Sequence, residues 1–153
     1  MKKIISFIIS AVLCTAVFAG CGSGTEFDAD AAVGQLMSAG IFAETLTEVK
    51  PEVTKKRLSL SEGDIESCTA YAGTKAVVDE LVLVKASSPS AAETVESAFE
   101  KHIEAQKKSY SSYNPNEVPK LDSAVIVSEG GYVILVVSAD SDKAKSIIKD
   151  CLK

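Results

Sequence analysis

Few side chains in this sequence could do chemistry, and a cysteine and the single histidine come first. Cys68 and His102 could form a thiol–imidazole pair, because a thiolate nucleophile needs a nearby base or cation to be reactive. The surroundings of Cys68 offer no nucleophile elbow, no paired glycines after the cysteine and no obvious third member. We therefore expect His102 to be a half-exposed helix residue, with a catalytic Cys68–His102 pair as the less favoured interpretation.

Two acidic stretches could supply carboxylates for acid–base work or for calcium. They are Asp79 with Glu80, and Asp140 with Asp142. A calcium loop needs oxygen ligands at alternating positions and a closing bidentate Glu, and neither stretch provides them. We expect Asp79 and Glu80 to keep a strand end soluble and Asp140 to cap a helix, and we predict neither a metal nor a cofactor.

The N-terminus has the pattern of an export signal. Two lysines follow Met1, and residues 4–18 are almost unbroken apolar sequence. A membrane-spanning helix needs about 20 apolar residues, so this run is too short for a stable anchor. We predict a signal peptide over residues 1–20, with a retained membrane helix as the less favoured alternative.

The residues that follow indicate how this signal is cut. Phe-Ala-Gly-Cys at 18–21 resembles a bacterial lipobox, in which the Cys21 thiol receives a diacylglyceryl group and becomes the new N-terminus. We predict lipidation at Cys21 and a tether over 21–27, followed by a single domain over 28–153. The alternative is an ordinary signal peptide with Cys21 left as a thiol.

Cys68 and Cys151 are the two cysteines that remain once Cys21 is modified. Outside the cell they could form a disulfide, which would stabilise the fold by closing a long loop. Buried thiols are common, however, and we favour two buried thiols over the bridge.

One aromatic cluster coincides with a rigid loop. Tyr110, Tyr113 and Asn114 precede Pro115 at the predicted end of a long helix. They could form a binding surface, but packing of the helix-to-strand connection is the favoured interpretation.

A basic run stands out in this acidic chain. Lys55, Lys56 and Arg57 are consecutive, whereas the chain as a whole has a net charge of −5. They could contact wall phosphates or lipid headgroups, with a solvated loop as the default expectation. The overall acidity argues against nucleic acid as a partner.

The composition is that of one folded domain. The chain has 153 residues, of which 46% are apolar and 24% charged. From residue 65 the pattern of apolar residues and turns predicts strand, strand, helix, twice over. The predicted strands are 65–72, 77–86, 123–128 and 132–138, and the predicted helices are 89–109, one beginning near Asp140, and one beginning near Asp28 or Asp30.

We therefore predict an α+β fold, a two-layer sandwich. A four-stranded antiparallel sheet in ββαββα order carries its helices on one face, and an extra N-terminal helix covers part of the other. The strand around residues 133–137 is apolar on both faces and should be central. Residues 43–64 give no clear element, because Pro51 would break a helix.

Several segments together carry a family resemblance. They are DELVLVK at 79–85, Gln106, YNPNE at 113–117, EGGYV at 129–133 and SAD at 138–140. With the lipobox, this order and spacing resembles the domain of unknown function 4358 family, small lipoproteins of Gram-positive bacteria, over residues 28–150. His102 departs from the family pattern, where an Arg is expected. The resemblance implies an exported lipoprotein of uncharacterised role.

The leading hypothesis is a non-enzymatic binding module, held at the extracytoplasmic face of the cell membrane by Cys21. Its partner would be an envelope component or another exported protein. One alternative is a thiol- or carboxylate-dependent hydrolase at the cell surface. The other is a structural component of an envelope complex that pairs through an exposed sheet edge.

Overall fold

The computed structural model describes residues 27–152, so the predicted signal peptide, Cys21 and most of the predicted tether lie outside the described residues. Within this part the strands are β1 (Thr47–Val49), β2 (Ile65–Ala72), β3 (Glu80–Ala86), β4 (Val125–Glu129) and β5 (Tyr132–Val137). The helices are α1 (Ala29–Ser38), α2 (Pro51–Leu58), α3 (Pro89–Tyr113), α4 (Val118–Asp122) and α5 (Ser141–Asp150). None of the helices in residues 27–152 is both long and apolar enough to cross a bilayer.

The strands form one antiparallel sheet in the order β1-β2-β3-β5-β4. β3 and β5 are central and nearly fully buried, because their sequences are apolar on both faces. Side chains alternate between the two faces, with Val82 and Val84 on one and Leu81 and Leu83 on the other. The central position of β5 and the α+β class are confirmed.

α3 covers the first face of the sheet. Val95, Phe99 and Ile103 form an apolar stripe at helical spacing and pack in the same cluster as Val82 and Val84. Pro89 lies at the start of this helix, where its missing N–H costs nothing, and the Ser88 hydroxyl accepts the Ala91 N–H at 3.1 Å.

α1 and α5 cover the opposite face. Leu36 from α1 and Ile148 from α5 are buried with Leu81 and Ile134 in a second apolar cluster. Asp28 caps α1 and Asp140 caps α5, as predicted. The prediction of a two-layer sandwich with α3 and α5 on the same face was wrong, because strands that are apolar on both faces need cover on both.

The predicted sheet also lacked one strand. Thr47 and Val49 lie opposite Ala72 and Ala70, so β1 adds a fifth strand at the β2 edge. Pro51 does not break a helix here but begins α2, because the first helical N–H has no partner in the helix in any case. The segment without a predicted element therefore contains a strand and a helix.

The hairpin between β4 and β5 follows the sequence signal closely. Gly130 and Gly131 have φ values of 57° and 81°, in the left-handed region that favours glycine. The strand, strand, helix order repeated twice from residue 65 is confirmed, with β1 and α2 added before it and the short helix α4 added between α3 and β4.

Candidate functional site

A groove of about 590 Å³ lies between the end of α2 and one face of α3. We call it the α2–α3 groove. It runs between Arg57 and Ser59 on one side and Ser90, Thr94, Lys101 and His102 on the other. Its volume is within the range of about 300–1,000 Å³ that is usual for small-molecule sites.

The groove exists because α3 has two different faces. Ser90, Thr94, Ser97 and Lys101 follow each other at intervals of four, three and four residues, which places them on one side of the helix. Their side chains are polar, and Ala98 between them is small, so the neighbouring end of α2 leaves an open space. The apolar stripe of α3 faces the sheet instead.

Glu80 lies below the groove at the start of β3, with only 2% of its side chain exposed. Its Oε1 contacts the Arg57 guanidinium, and its Oε2 lies 2.9 Å from His102 Nε2. A buried carboxylate is costly unless it is paired and hydrogen-bonded, and here each oxygen has its own partner. The three side chains, which we call the Glu80 triad, join α2, α3 and β3.

His102 is more buried than the sequence predicts. Its side chain is 8% exposed, because the imidazole turns inward to Glu80 rather than outward between solvated acidic neighbours. Arg57 also differs from the prediction of a solvated loop, since it lies on α2 and about one third of its side chain, 32%, is exposed. Lys55 also lies on α2 rather than in a loop, with 22% of its side chain exposed, and its ammonium pairs with the exposed carboxylate of Glu62 at 2.9 Å.

Asp79 is buried beside Glu80 and has separate partners. Its Oδ2 accepts the Ala43 N–H at 2.6 Å, and its Oδ1 forms an ion pair with Lys120 Nζ at 3.1 Å that lacks hydrogen-bond geometry. The prediction that Asp79 and Glu80 keep a strand end soluble was wrong, because both carboxylates are internal and compensated by cations. In residues 27–152, no group of three or more acidic, His or Cys side chains is placed to hold a metal ion.

Lys120 also connects Asp79 to Glu117. Its Nζ donates to Glu117 Oε2 at 2.9 Å, and the same oxygen accepts the Val78 N–H at 3.0 Å. Burial alone would raise the pKa of Glu117, but these two hydrogen bonds lower it below its ordinary value overall. Burial alone would likewise lower the pKa of Lys120, and the carboxylates of Glu117 and Asp79 raise it overall.

The structure does not bring Cys68 and His102 together. Cys68 lies opposite Val84 on β3, whereas Glu80, the partner of His102, lies opposite Ala72. Four residues along a strand correspond to about 13 Å. Burial raises the pKa of the Cys68 thiol, although the positive charges of Lys55 and Arg57 act in the other direction, so the reactive thiolate is disfavoured.

Cys68 and Cys151 do not form a disulfide. Cys68 belongs to the cluster below α3, and Cys151, at the end of α5, belongs to the cluster on the opposite face. The sheet lies between the two sulfur atoms, so the bridge would require the fold to rearrange. Of the two alternatives from the sequence, the structure contains the buried cysteines.

Two of the three residues proposed as a binding surface hold a loop instead. The Tyr110 hydroxyl lies 2.9 Å from the Lys75 carbonyl oxygen and 3.1 Å from that of Val77. Asn114 Nδ2 donates to the Ala76 carbonyl at 3.1 Å. Tyr113 is 67% exposed and packs edge-to-face on Tyr110 with ring centroids 5.7 Å apart. Gln106, the other polar residue singled out on this helix, is half-buried beside the same loop.

The groove itself was missed in the sequence. The signal that could have revealed it is the second helical stripe of α3, in which hydroxyl and small side chains recur at the same spacing as the apolar ones. Arg57 and Glu80 were each noted separately. Their pairing depends on contacts between residues 23 positions apart, which no local pattern reports.

Comparison with known proteins gives a family but no described relative. The family described as Domain of unknown function (DUF4358) matches residues 41–138. No curated protein and no solved structure matches the chain. The matched part contains all five strands and α2–α4, and therefore the α2–α3 groove and the Glu80 triad, while α1 and α5 lie outside it. Since the match covers well over half of the sequence, the chain belongs to the DUF4358 family.

Proposed function

We propose that the protein is a lipoprotein held at the extracytoplasmic face of the cell membrane through Cys21, and that it acts as a non-enzymatic binding module. Its ligand site is the α2–α3 groove. The observation that carries this proposal is the groove itself, a cavity of about 590 Å³ whose lining combines two cations, an imidazole and several hydroxyl groups. Such a combination of a concave shape with a few polar groups is typical of ligand sites.

The chemistry of the groove favours binding over hydrolysis. His102 is the best base available, and Glu80 holds its Nε2. Within residues 27–152 no hydrogen bond joins His102 to a hydroxyl or a thiol, so a nucleophile activated by it is missing. Cys68 is buried with a raised pKa, which argues against the thiol hydrolase.

The edges of the sheet give weaker support to a purely structural role. β1 at one edge has only three residues, and short edge strands are poor templates for pairing with another chain. β4 at the other edge has five residues, the last of which is charged. We therefore place partner recognition in the groove rather than at an edge.

The membrane anchor is tested by changing Cys21. Attached acyl chains hold a protein at the bilayer, and residues 22–27 would let the domain stand at most about 20 Å away. We expect the mature protein from its native host to carry diacylglyceryl on Cys21 by intact-mass measurement, and the Cys21→Ser variant to lose this mass. A product that still begins at Met1, or a protein in the cytosol, would contradict the anchor.

The groove is tested with a photo-crosslinking amino acid in native membranes. Ala98 lies in the groove, whereas Lys108 is exposed on the same helix outside it. We expect a discrete crosslinked product from position 98 and none from position 108. No product from position 98, or identical products from both positions, would contradict recognition through the groove.

A further inference from the structure

The charge of the α2–α3 groove differs from that of the whole chain. The chain has a net charge of −5, but Arg57 and Lys101 both line the groove, against one carboxylate, Glu93. Glu80 below the groove compensates Arg57, so Lys101 is the lining cation that no carboxylate pairs within residues 27–152, and it can attract an anion.

Arg57 is oriented before any ligand arrives. One terminal nitrogen of its guanidinium contacts Glu80, while about one third of the side chain remains exposed at the groove. A guanidinium has five N–H donors in a rigid plane, so the donors that Glu80 does not use can bind an oxyanion. Because this contact already restrains the Arg57 side chain, less conformational entropy is lost on binding.

Serine hydroxyl groups add further hydrogen-bond donors to the groove. Ser59, Ser90 and Ser97 line the groove, and their hydroxyls make no hydrogen bond within the described part of the chain. Thr94 differs, because its Oγ1 donates to the Ser90 carbonyl at 3.1 Å and is not available. Three serine hydroxyls are therefore free to donate to a ligand in the same cavity as the two cations.

We infer that the ligand of this groove carries a phosphoryl group. This inference rests on the proposed function, since it names the ligand class of the same site. The terminal oxygens of a phosphoryl group accept several hydrogen bonds at once, and Arg, Lys and hydroxyl side chains are common donors to phosphate oxygens. A carboxylate has only two oxygens for this set of donors, and a neutral sugar would leave the Lys101 ammonium without a counter-charge.

Calorimetric titration of the mature lipoprotein in neutral detergent micelles tests the assignment. The probes are inorganic phosphate, glycerol 3-phosphate and, for comparison, acetate. We expect glycerol 3-phosphate to bind and acetate not to bind. Lys101→Gln should weaken the binding about tenfold, as expected for the loss of one charge-assisted contact.

The matched control is Lys108→Gln. Both lysines are exposed on α3, but Lys108 lies outside the groove, so removing its charge should change the affinity by less than about twofold. Thermal unfolding of both variants checks that they fold. Equal weakening by the two substitutions, acetate binding as tightly as glycerol 3-phosphate, or no binding of either phosphate compound would overturn the inference.

A further titration distinguishes a free phosphate compound from a lipid headgroup. Dihexanoyl phosphatidic acid, below its micelle concentration, presents a phosphoryl group with three terminal oxygens as a lipid headgroup does. Binding that depends on Lys101 supports the inference with either compound, and the tighter one identifies the source. If neither phosphate compound binds but position 98 still gives its crosslink, the inference is wrong and the groove is a binding site for another class of ligand. If neither phosphate compound binds and position 98 gives no crosslink, the proposed function is contradicted as well.

Discussion

At the scale of single residues, the Glu80 triad sets the geometry of the site. One buried carboxylate holds an arginine from α2 and a histidine from α3, so three elements meet at a single side chain. Removing Arg57 or His102 leaves the Glu80 carboxylate buried with one partner fewer, which costs more than the net gain from forming the contact. The triad therefore stabilises the fold and also aligns two of the groove's polar groups.

Glu80→Gln should lower the free energy of unfolding by about 2 kcal/mol, because the neutral amide no longer pairs with Arg57 and His102. Urea denaturation measures this loss. Glu104→Gln is the control, because its carboxylate is 72% exposed and pairs, among residues 27–152, with Lys107 alone, so its change should stay below about 0.5 kcal/mol. Equal losses in the two variants would show that Glu80 contributes no more than a surface residue.

Glu117 gives the protein a defined pH dependence. Its pKa is lowered in the folded state, so it stabilises the fold above its unfolded pKa of about 4.3, and this stability is lost as the pH falls through the folded pKa. Glu117→Gln should therefore reduce stability by about 1 kcal/mol at pH 7. The difference from the unmodified protein should be smaller at pH 3 than at pH 7, because this stability is lost as the pH falls through the folded pKa. Urea titrations at the two pH values measure it, and a difference that does not change with pH would contradict the assignment.

At the scale of elements, α3 organises the molecule because three of its surfaces have different partners. The apolar stripe packs on the sheet, the hydroxyl stripe lines the groove, and the C-terminal end holds residues 74–78 through Tyr110 and Asn114. This loop leads directly into Asp79 and Glu80. The end of α3 therefore helps to place the two buried carboxylates.

Tyr110→Phe should reduce stability by about 1 kcal/mol, because the carbonyl groups of Lys75 and Val77 lose the one hydroxyl donor that they share at a part-buried contact. Tyr113→Phe removes the same atom from a residue that is 67% exposed, so it should have almost no effect. Thermal unfolding of the two variants gives the comparison. If Tyr113→Phe were the more damaging of the two, the structural role assigned to Tyr110 would be wrong.

At the scale of the whole molecule, the sheet separates two apolar clusters. One lies below α3 and contains Cys68, and the other lies below α1 and α5 and contains Cys151. Both are needed, because β3 and β5 expose apolar side chains in both directions. α5, the helix that follows β5, therefore has to cover the face of the sheet that α3 does not cover.

This separation can be checked by oxidation. Treatment of the mature protein with a copper–phenanthroline oxidant should give no peptide that links Cys68 to Cys151, because the sheet lies between them. Peptide mapping by mass spectrometry under non-reducing conditions is the measurement. A linked peptide from native protein would instead favour the two-layer arrangement, in which one face carries both cysteines.

Local sequence was sufficient for the elements whose signals lie within a few residues. Capping predicts the helix starts at Asp28 and Asp140, and the backbone freedom of glycine predicts the turn at Gly130 and Gly131. Periodicity predicts the apolar strands β3 and β5. All of these features are observed. β1 was missed because three residues carry too little periodicity. α2 was missed because the same proline that ends a helix can also begin one.

The sequence by itself determined the fold class, the repeated strand, strand, helix order and the resemblance to a family that residues 41–138 match. Only the tertiary structure decided which face each helix covers, that Asp79 and Glu80 are buried, and that Arg57 and His102 meet on one carboxylate. The physical reason is the separation along the chain. Periodicity and capping act over a few residues, whereas the desolvation of a carboxylate is compensated by groups more than 20 positions away.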